Sequence, residues 1–178
     1  MAEDIESPAA LDYLYNAADK LYMQFARSCG LSTCAYWMLY DLTRAGGEAS
    51  LRDICDSWAY SKQTINSALK SLEGRGLIEL FFCEGSRKNK GARLTDAGHA
   101  FTGINVEPAM KAERHAFLSL DASERATLLR LTRKYTQALE VEFREMAKRD
   151  DAAMTAASDE RPGEGAMADP GAVPRPAP

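Results

Sequence analysis

Tyr60-Ser61-Lys62-Gln63-Thr64-Ile65-Asn66-Ser67-Ala68-Leu69-Lys70-Ser71-Leu72-Glu73-Gly74-Arg75-Gly76-Leu77-Ile78 holds the most ordered pattern in the chain. Ser61 is placed to cap a helix by accepting the unpaired amides of its first turn, and Tyr60 ahead of it can pack on Ile65 as a staple. Ile65, Ala68, Leu69 and Leu72 then fall at i, i+3, i+4 and i+7, which gathers them on one stripe of a helix that Gly74 and Gly76 stop. Lys62, Gln63, Asn66, Ser67 and Lys70 are left on faces the core does not claim.

Ser50-Leu51-Arg52-Asp53 repeats the logic just upstream, a capping box that opens a short helix to about Trp58. Two capped helices joined by a tight turn predict a helix-turn-helix. Downstream, Leu77-Ile78-Glu79-Leu80-Phe81-Phe82-Cys83 is short, β-rich and partly alternating. After Gly85 come Arg87-Lys88-Asn89-Lys90-Gly91 and then Ala92-Arg93-Leu94, so a hairpin with a basic tip is expected. A hairpin directly after the second helix of such a motif is a wing.

The chemistry of the uncovered face suits duplex DNA. Gln and Asn pair bidentately with adenine, Lys and Ser reach guanine or phosphate, and free amides at a helix start favour anions. A basic wing tip is placed to meet phosphates or enter the minor groove. The candidate contacts are therefore Ser61, Lys62, Gln63, Thr64, Asn66, Ser67 and Lys70 on the helix, with Arg87, Lys88, Asn89 and Lys90 on the wing. Polar residues opposite an apolar stripe also occur on any solvated helix, so the face alone does not decide the matter.

Charge distribution adds weight. Tyr60 to Thr95 carries seven basic and three acidic residues, a net of +4, whereas the rest carries fifteen basic against twenty-three acidic, a net of −8. Overall acidity argues against indiscriminate nucleic-acid affinity, and a basic segment within it is what a localised phosphate-binding face requires.

The flanks are helical. Leu11, Leu14, Tyr15, Ala18, Leu21, Tyr22 and Phe25 recur at three- and four-residue steps over about 20 residues until Gly30. Leu31-Ser32 caps a second helix through about Arg44, apolar nearly all round (Ala35, Trp37, Met38, Leu39, Leu42) and so expected to run through the core. Thr95 caps another helix, a further stretch resumes near Pro108, and Asp121-Ala122-Ser123-Glu124 opens a long final helix with Leu128, Leu131, Tyr135, Leu139, Phe143 and Met146 as its stripe. From residue 149 the composition turns to Ala, Asp, Gly and Pro with net charge −3, and residues 149–178 read as a disordered acidic tail.

Several classes are excluded. The longest run without charge, Ser28 to Tyr40, is thirteen residues and falls short of a membrane span, which needs roughly 20. The acidic amino terminus is unlike a secretory signal, so a cytoplasmic protein is expected. Cys29, Cys34, Cys55 and Cys83 form no Cys-x-x-Cys pair, and His99 and His115 lie far apart, so no metal is called for. No GxSxG, phosphate loop or recognisable nucleophile and base motif occurs, so neither an enzyme nor a cofactor is expected.

Ser61-Lys62-Gln63-Thr64-Ile65, Leu72-Glu73-Gly74-Arg75-Gly76-Leu77-Ile78 and Arg93-Leu94-Thr95-Asp96-Ala97-Gly98 together resemble the MarR family of winged-helix transcriptional regulators, with its "LExxGLI" and "LTxxG" signatures. The resemblance spans about residues 8 to 148, with the winged core at about 31–103. It implies a mainly α fold with a small β wing, flanked by long amino- and carboxy-terminal dimerisation helices. It further implies a homodimer that reads a palindromic operator, with an effector pocket between the two regions. At the wing the family's "DxR" falls on Ser86-Arg87-Lys88, so this chain departs from it: serine replaces the aspartate and lysine the arginine, and lysine lacks the planar fork.

A pocket for a small aromatic or phenolic effector is expected near Tyr15, Tyr22, Phe25, Trp37, Met38 and Tyr40, residues that plain core packing would also explain. The leading expectation is a dimeric repressor relieved by such an effector. Two alternatives stay open: a redox-sensing regulator that uses a cysteine such as Cys29, and a winged-helix protein-interaction module that does not bind DNA.

Overall fold

The computed structural model describes residues 7–56, 60–83 and 89–159. Arg87, Lys88 and residues 160–178 of the predicted tail lie outside them. The chain divides into two compact units, Met1–Ser119 and Leu120–Pro178.

The first unit begins with α1 (Pro8–Ser28), with Ser7 as its cap and Pro8 in its first turn. Gly30 ends it at φ 69, a left-handed conformation that glycine adopts without a Cβ penalty. α2 (Thr33–Arg44) starts where Ser32 Oγ accepts from the Ala35 amide at 3.2 Å, and it runs through the core as its composition demands. Cys34, Ala35, Tyr36, Met38, Leu39, Asp41 and Leu42 are all buried along it.

α3 (Leu51–Asp56) and α4 (Lys62–Gly74) form the helix-turn-helix. The amide of Asp53 donates to Ser50 Oγ at 3.1 Å as the capping box predicts, and the Asp53 carboxylate accepts from the Ser50 hydroxyl at 2.7 Å. α4 buries Ile65, Ala68, Leu69 and Leu72, the four residues of its sequence stripe.

The wing is β2 (Ile78–Phe82) antiparallel to β3 (Lys90–Leu94), so the returning strand begins two residues before the Ala92 expected from sequence. Gly91 explains the difference. It pairs with Phe81, and a Cβ there would stand 2.3 Å from that ring, so the absent side chain lets the phenyl lie across the strand. A third strand, β1 (Glu48–Ser50), pairs with β3 and gives the order β1-β3-β2. Three residues after Gly46-Gly47 are too few to show alternation, and the sequence reading missed this strand.

α5 (Asp96–Asn105) and α6 (Glu107–Leu118) complete the unit. The two signature strings turn out to be halves of one contact. Thr95 Oγ1 donates to the Gly76 carbonyl at 2.5 Å and accepts from the Gly98 amide at 3.0 Å, and the Thr95 amide donates to the Leu77 carbonyl at 3.2 Å. Gly98 then packs so close to Leu77 that a Cβ would sit 2.0 Å from its carbonyl oxygen.

In the second unit α7 (Ala122–Asp159) opens with the expected box: Asp121 Oδ1 accepts from the amides of Ser123 and Glu124, and Glu124 Oε2 accepts from the Asp121 amide at 2.7 Å. The helix continues to Asp159, past the Lys148 at which the sequence reading began the disordered tail. Asp150 to Asp159 is rich in alanine, with Met154 among it and no glycine or proline, so the first part of the compositional shift favours helix. No helix among the described residues is long and apolar enough to cross a membrane.

Candidate nucleic-acid interface

α4 carries the candidate face. Its cap Ser61, at φ −64 and ψ 151, accepts from the Thr64 amide at 3.1 Å, and the Ser61 and Thr64 hydroxyls lie 2.9 Å apart. These two residues are therefore partly engaged in starting the helix. Ser61, Lys62, Gln63, Thr64, Asn66, Ser67 and Lys70 are all exposed, and Gln63, Asn66, Ser67 and Lys70 line one open concavity. Two carboxamides, a hydroxyl and an ammonium thus face solvent together, next to a helix start whose amides and dipole attract anions.

The wing brings a second set of side chains. The Cys83 amide donates to the Asn89 carbonyl at 2.9 Å and closes the hairpin just beyond the ladder, with Asn89 and Lys90 exposed. Arg87 and Lys88 lie outside the described residues. Two exposed cations of the basic segment already have partners within the fold. The Arg93 guanidinium pairs with Glu79 at 2.5 Å and lies 5.2 Å from the Phe81 ring centre, and Arg75 donates to the Gly30 carbonyl at 3.0 Å over the Phe101 ring. Both hold the fold together, a distinction that charge counting does not make.

A second cluster joins α1, α2 and α6. Tyr22 packs on Trp37 with ring centres 4.6 Å apart, Trp37 on Tyr40 at 5.1 Å, and Phe25 on Tyr36 at 5.6 Å. The Tyr40 hydroxyl donates to Glu113 Oε2 at 2.6 Å. Burial first, then the hydrogen bond and charge of Glu113, push the Tyr40 phenol up to about 12 and hold that of Tyr22 still further above its ordinary value. Tyr36 is pushed up to about 12, chiefly by burial, with Cys29 and Glu113 adding to the effect. Its ring is fully buried, and its hydroxyl has no hydrogen-bond partner among the described residues.

Of the residues predicted for an effector pocket, Tyr22, Phe25, Trp37 and Tyr40 are thus brought together, and Met38 lies in the core beside them. Tyr15 is not among them: it is 45% exposed, farther up α1 and outside the core cluster. Tyr36 and Glu113 went unrecognised. Tyr36 sits within an apolar run that marks it only as core, and Glu113 belongs to Lys111-Ala112-Glu113-Arg114-His115, which reads as a solvated face. Cys29 caps the end of α1, half-buried, its amide donating to the Phe25 carbonyl at 3.2 Å.

Comparison with known proteins bears on the fold that carries these sites. The MarR family model matches residues 30–88, the stretch that holds α2, β1, α3, α4 and β2. The fold is similar to that of a MarR family regulator from Neisseria meningitidis, at 23% identity over 77% of this chain and 96% of that one, with a TM-score of 0.66. It is also similar to a MarR family transcriptional regulator from Streptomyces coelicolor solved in complex with DNA, at 19% identity over 74% of this chain and 86% of the other, TM-score 0.58. A third likeness is to Bordetella bronchiseptica BpsR, whose DNA binding is regulated by 6-hydroxynicotinic acid, at 22% identity over 71% and 98% of the two chains, TM-score 0.53. No curated protein matches.

Proposed function

We propose that this chain, with its MarR family winged helix, is a DNA-binding regulator of transcription that acts as a homodimer on a palindromic operator, as a repressor relieved by a small aromatic effector. The observation that carries the reading is the α4 face: Gln63, Asn66, Ser67 and Lys70 share one exposed concavity while the opposite stripe is buried. This is the surface a recognition helix presents to base edges in the major groove. The regulator from Streptomyces coelicolor that was solved with DNA has the same fold, which supports the assignment.

Bare apolar surface supports the dimer. On α1, Tyr13, Leu14, Tyr15 and Leu21 are exposed, and on α7 Leu128, Leu131, Phe143 and Met146 are exposed. A lone protein seldom leaves two such stripes in water, and burial between subunits accounts for both. For the effector, the aromatic cluster of Tyr22, Trp37 and Tyr40 with Glu113 lies where α1 and α6 meet the winged core, and BpsR offers a precedent in a ligand with an aromatic ring. A redox-responsive variant of the reading rests on Cys29, half-buried at the end of α1.

Binding of labelled duplexes by fluorescence anisotropy tests the proposal. Gln63→Ala and Asn66→Ala are expected to relax sequence preference, by about 1–3 kcal/mol at each contacted base pair. Lys62→Gln and Lys70→Gln are expected to weaken binding to all duplexes alike. A parent protein that binds no duplex at low salt defeats the reading. Peroxide treatment of parent and Cys29→Ser separates the two modes of relief: only a cysteine sensor loses its response in the variant.

A further inference from the structure

Phe81 and Phe82 are neighbours in β2 with opposite fates. The register pairs Phe81 with Gly91 and Phe82 with Lys90, which sends the two rings to opposite faces of the wing. The Phe81 ring is covered within the fold, lying across Gly91 and beneath the Arg93 guanidinium that Glu79 holds. Phe82 belongs to the other face, the one that continues the core. Along that face Ile78 is buried, Leu80 half-buried and Phe82 62% exposed, so the apolar stripe runs out into solvent. A phenyl left largely in water forgoes most of the stabilisation that burial would give it, and a polar residue would serve the fold as well there.

Its surroundings say what covers it. Lys90 Nζ lies 5.5 Å from the centre of the Phe82 ring, Asn89 is exposed next to it, and Arg87 and Lys88 precede them in the sequence. An unburied aromatic ring with a cation on one face matches an apolar surface lined by phosphates. The sugars and base edges of the DNA minor groove form such a surface, and proteins that read that groove place apolar side chains against base steps beside their cations. A point charge neutralises phosphate but supplies no flat apolar contact, and Phe82 offers one.

We infer that Phe82 and Lys90 act as a pair on the DNA, Lys90 on a backbone phosphate and the Phe82 ring against the sugar and base edge of the minor groove. This rests on the DNA-binding reading of the winged helix and adds to it a contact that carries no charge.

Salt dependence separates the two members. Anisotropy titrations of the full chain with a labelled random-sequence duplex, run at several salt concentrations, compare the parent with Phe82→Ala, Phe82→Trp and Lys90→Gln. Phe82→Ala is expected to weaken binding by roughly 5- to 100-fold, the range found when an aromatic side chain is removed from a base. Its plot of log affinity against log salt keeps the parent slope, since a phenyl ring releases no counterion, and Phe82→Trp restores affinity. Lys90→Gln makes the slope shallower by about 0.9. Urea midpoints of Phe82→Ala and parent should coincide, as the ring is mostly exposed. Saturating the duplex with a minor-groove drug should bring parent and Phe82→Ala to the same affinity. The inference is overturned if Phe82→Ala binds as the parent does, if its slope falls as far as that of Lys90→Gln, or if the drug leaves the difference intact. A parent that binds no duplex at all overturns the DNA-binding reading itself, and this inference with it.

Discussion

Two glycines in one helix should respond to alanine with opposite signs. Gly98 and Gly103 both lie in α5, and neither has a positive φ, so conformational strain does not distinguish them. A Cβ on Gly103 meets nothing within 4 Å, whereas one on Gly98 would stand 2.0 Å from the Leu77 carbonyl oxygen, 3.0 Å from its carbon and 3.3 Å from Leu94 Cδ2. The Leu77 carbonyl is backbone and cannot swing aside. Moving α5 away would stretch the Thr95 bonds to Gly76 and Leu77. Overpacking of this kind costs about 3 kcal/mol, against which alanine returns about 1 kcal/mol of helix propensity, leaving Gly98→Ala about 2 kcal/mol less stable. At roughly 2–4 °C per kcal/mol for a chain of this size, Tm should fall by about 4–8 °C. Gly103→Ala lacks the clash and should gain about 0.5–1 kcal/mol, because alanine restricts the unfolded chain. Urea unfolding of the three proteins, with equal m-values, measures both effects. Shifts of the same sign, or a Gly98→Ala midpoint equal to that of the parent, would refute the close docking of α5 on Leu77.

The aromatic cluster and the helix stripes yield the other predictions. Tyr36→Phe removes a fully buried hydroxyl without a partner among the described residues and should raise stability by about 1 kcal/mol; a loss of that size in urea unfolding would mean that the hydroxyl is bonded. The phenols of Tyr22, Tyr36 and Tyr40 are held protonated above their ordinary value of 10.0, so the fold suffers no loss from their ionisation below about pH 10 and loses stability as pH climbs beyond it. Ultraviolet titration should accordingly show phenolate forming in two stages, with Glu113→Gln moving Tyr40 toward the first; a single stage near 10 contradicts the cluster. Phe143 and Met146 are 63% and 56% exposed on α7, and Phe143→Glu with Met146→Glu should convert a dimeric parent to monomer in sedimentation without unfolding it. Sedimentation of the variant as a dimer would show that this stripe is not the subunit contact.

Local signals explain what the sequence could reveal. Ser32, Ser61, Thr95 and Asp121 each start a helix because a side-chain oxygen meets an amide two or three residues on, a relation visible in any single chain. The α4 stripe, Ile65 to Leu72, was legible for the same reason, and the exposed face followed from it. What escaped notice depends on partners distant in sequence. β1 is a strand only because β3 pairs with it, Glu113 matters because Tyr40 reaches it from another helix, and Arg93 and Arg75 spend their charge on Glu79 and Gly30. Tyr15 was grouped with Tyr22 by periodicity, which orders one face of α1 but cannot say how far along that face the core extends.

The most direct test of the account is selection of duplexes from a random pool by the purified full chain at low salt. A DNA-reading homodimer enriches a twofold-symmetric site whose half-sites lie one helical turn apart, about 34–36 Å between centres or a multiple of it, with base preference relaxed in Gln63→Ala and Asn66→Ala. A pool that emerges unenriched would contradict that reading.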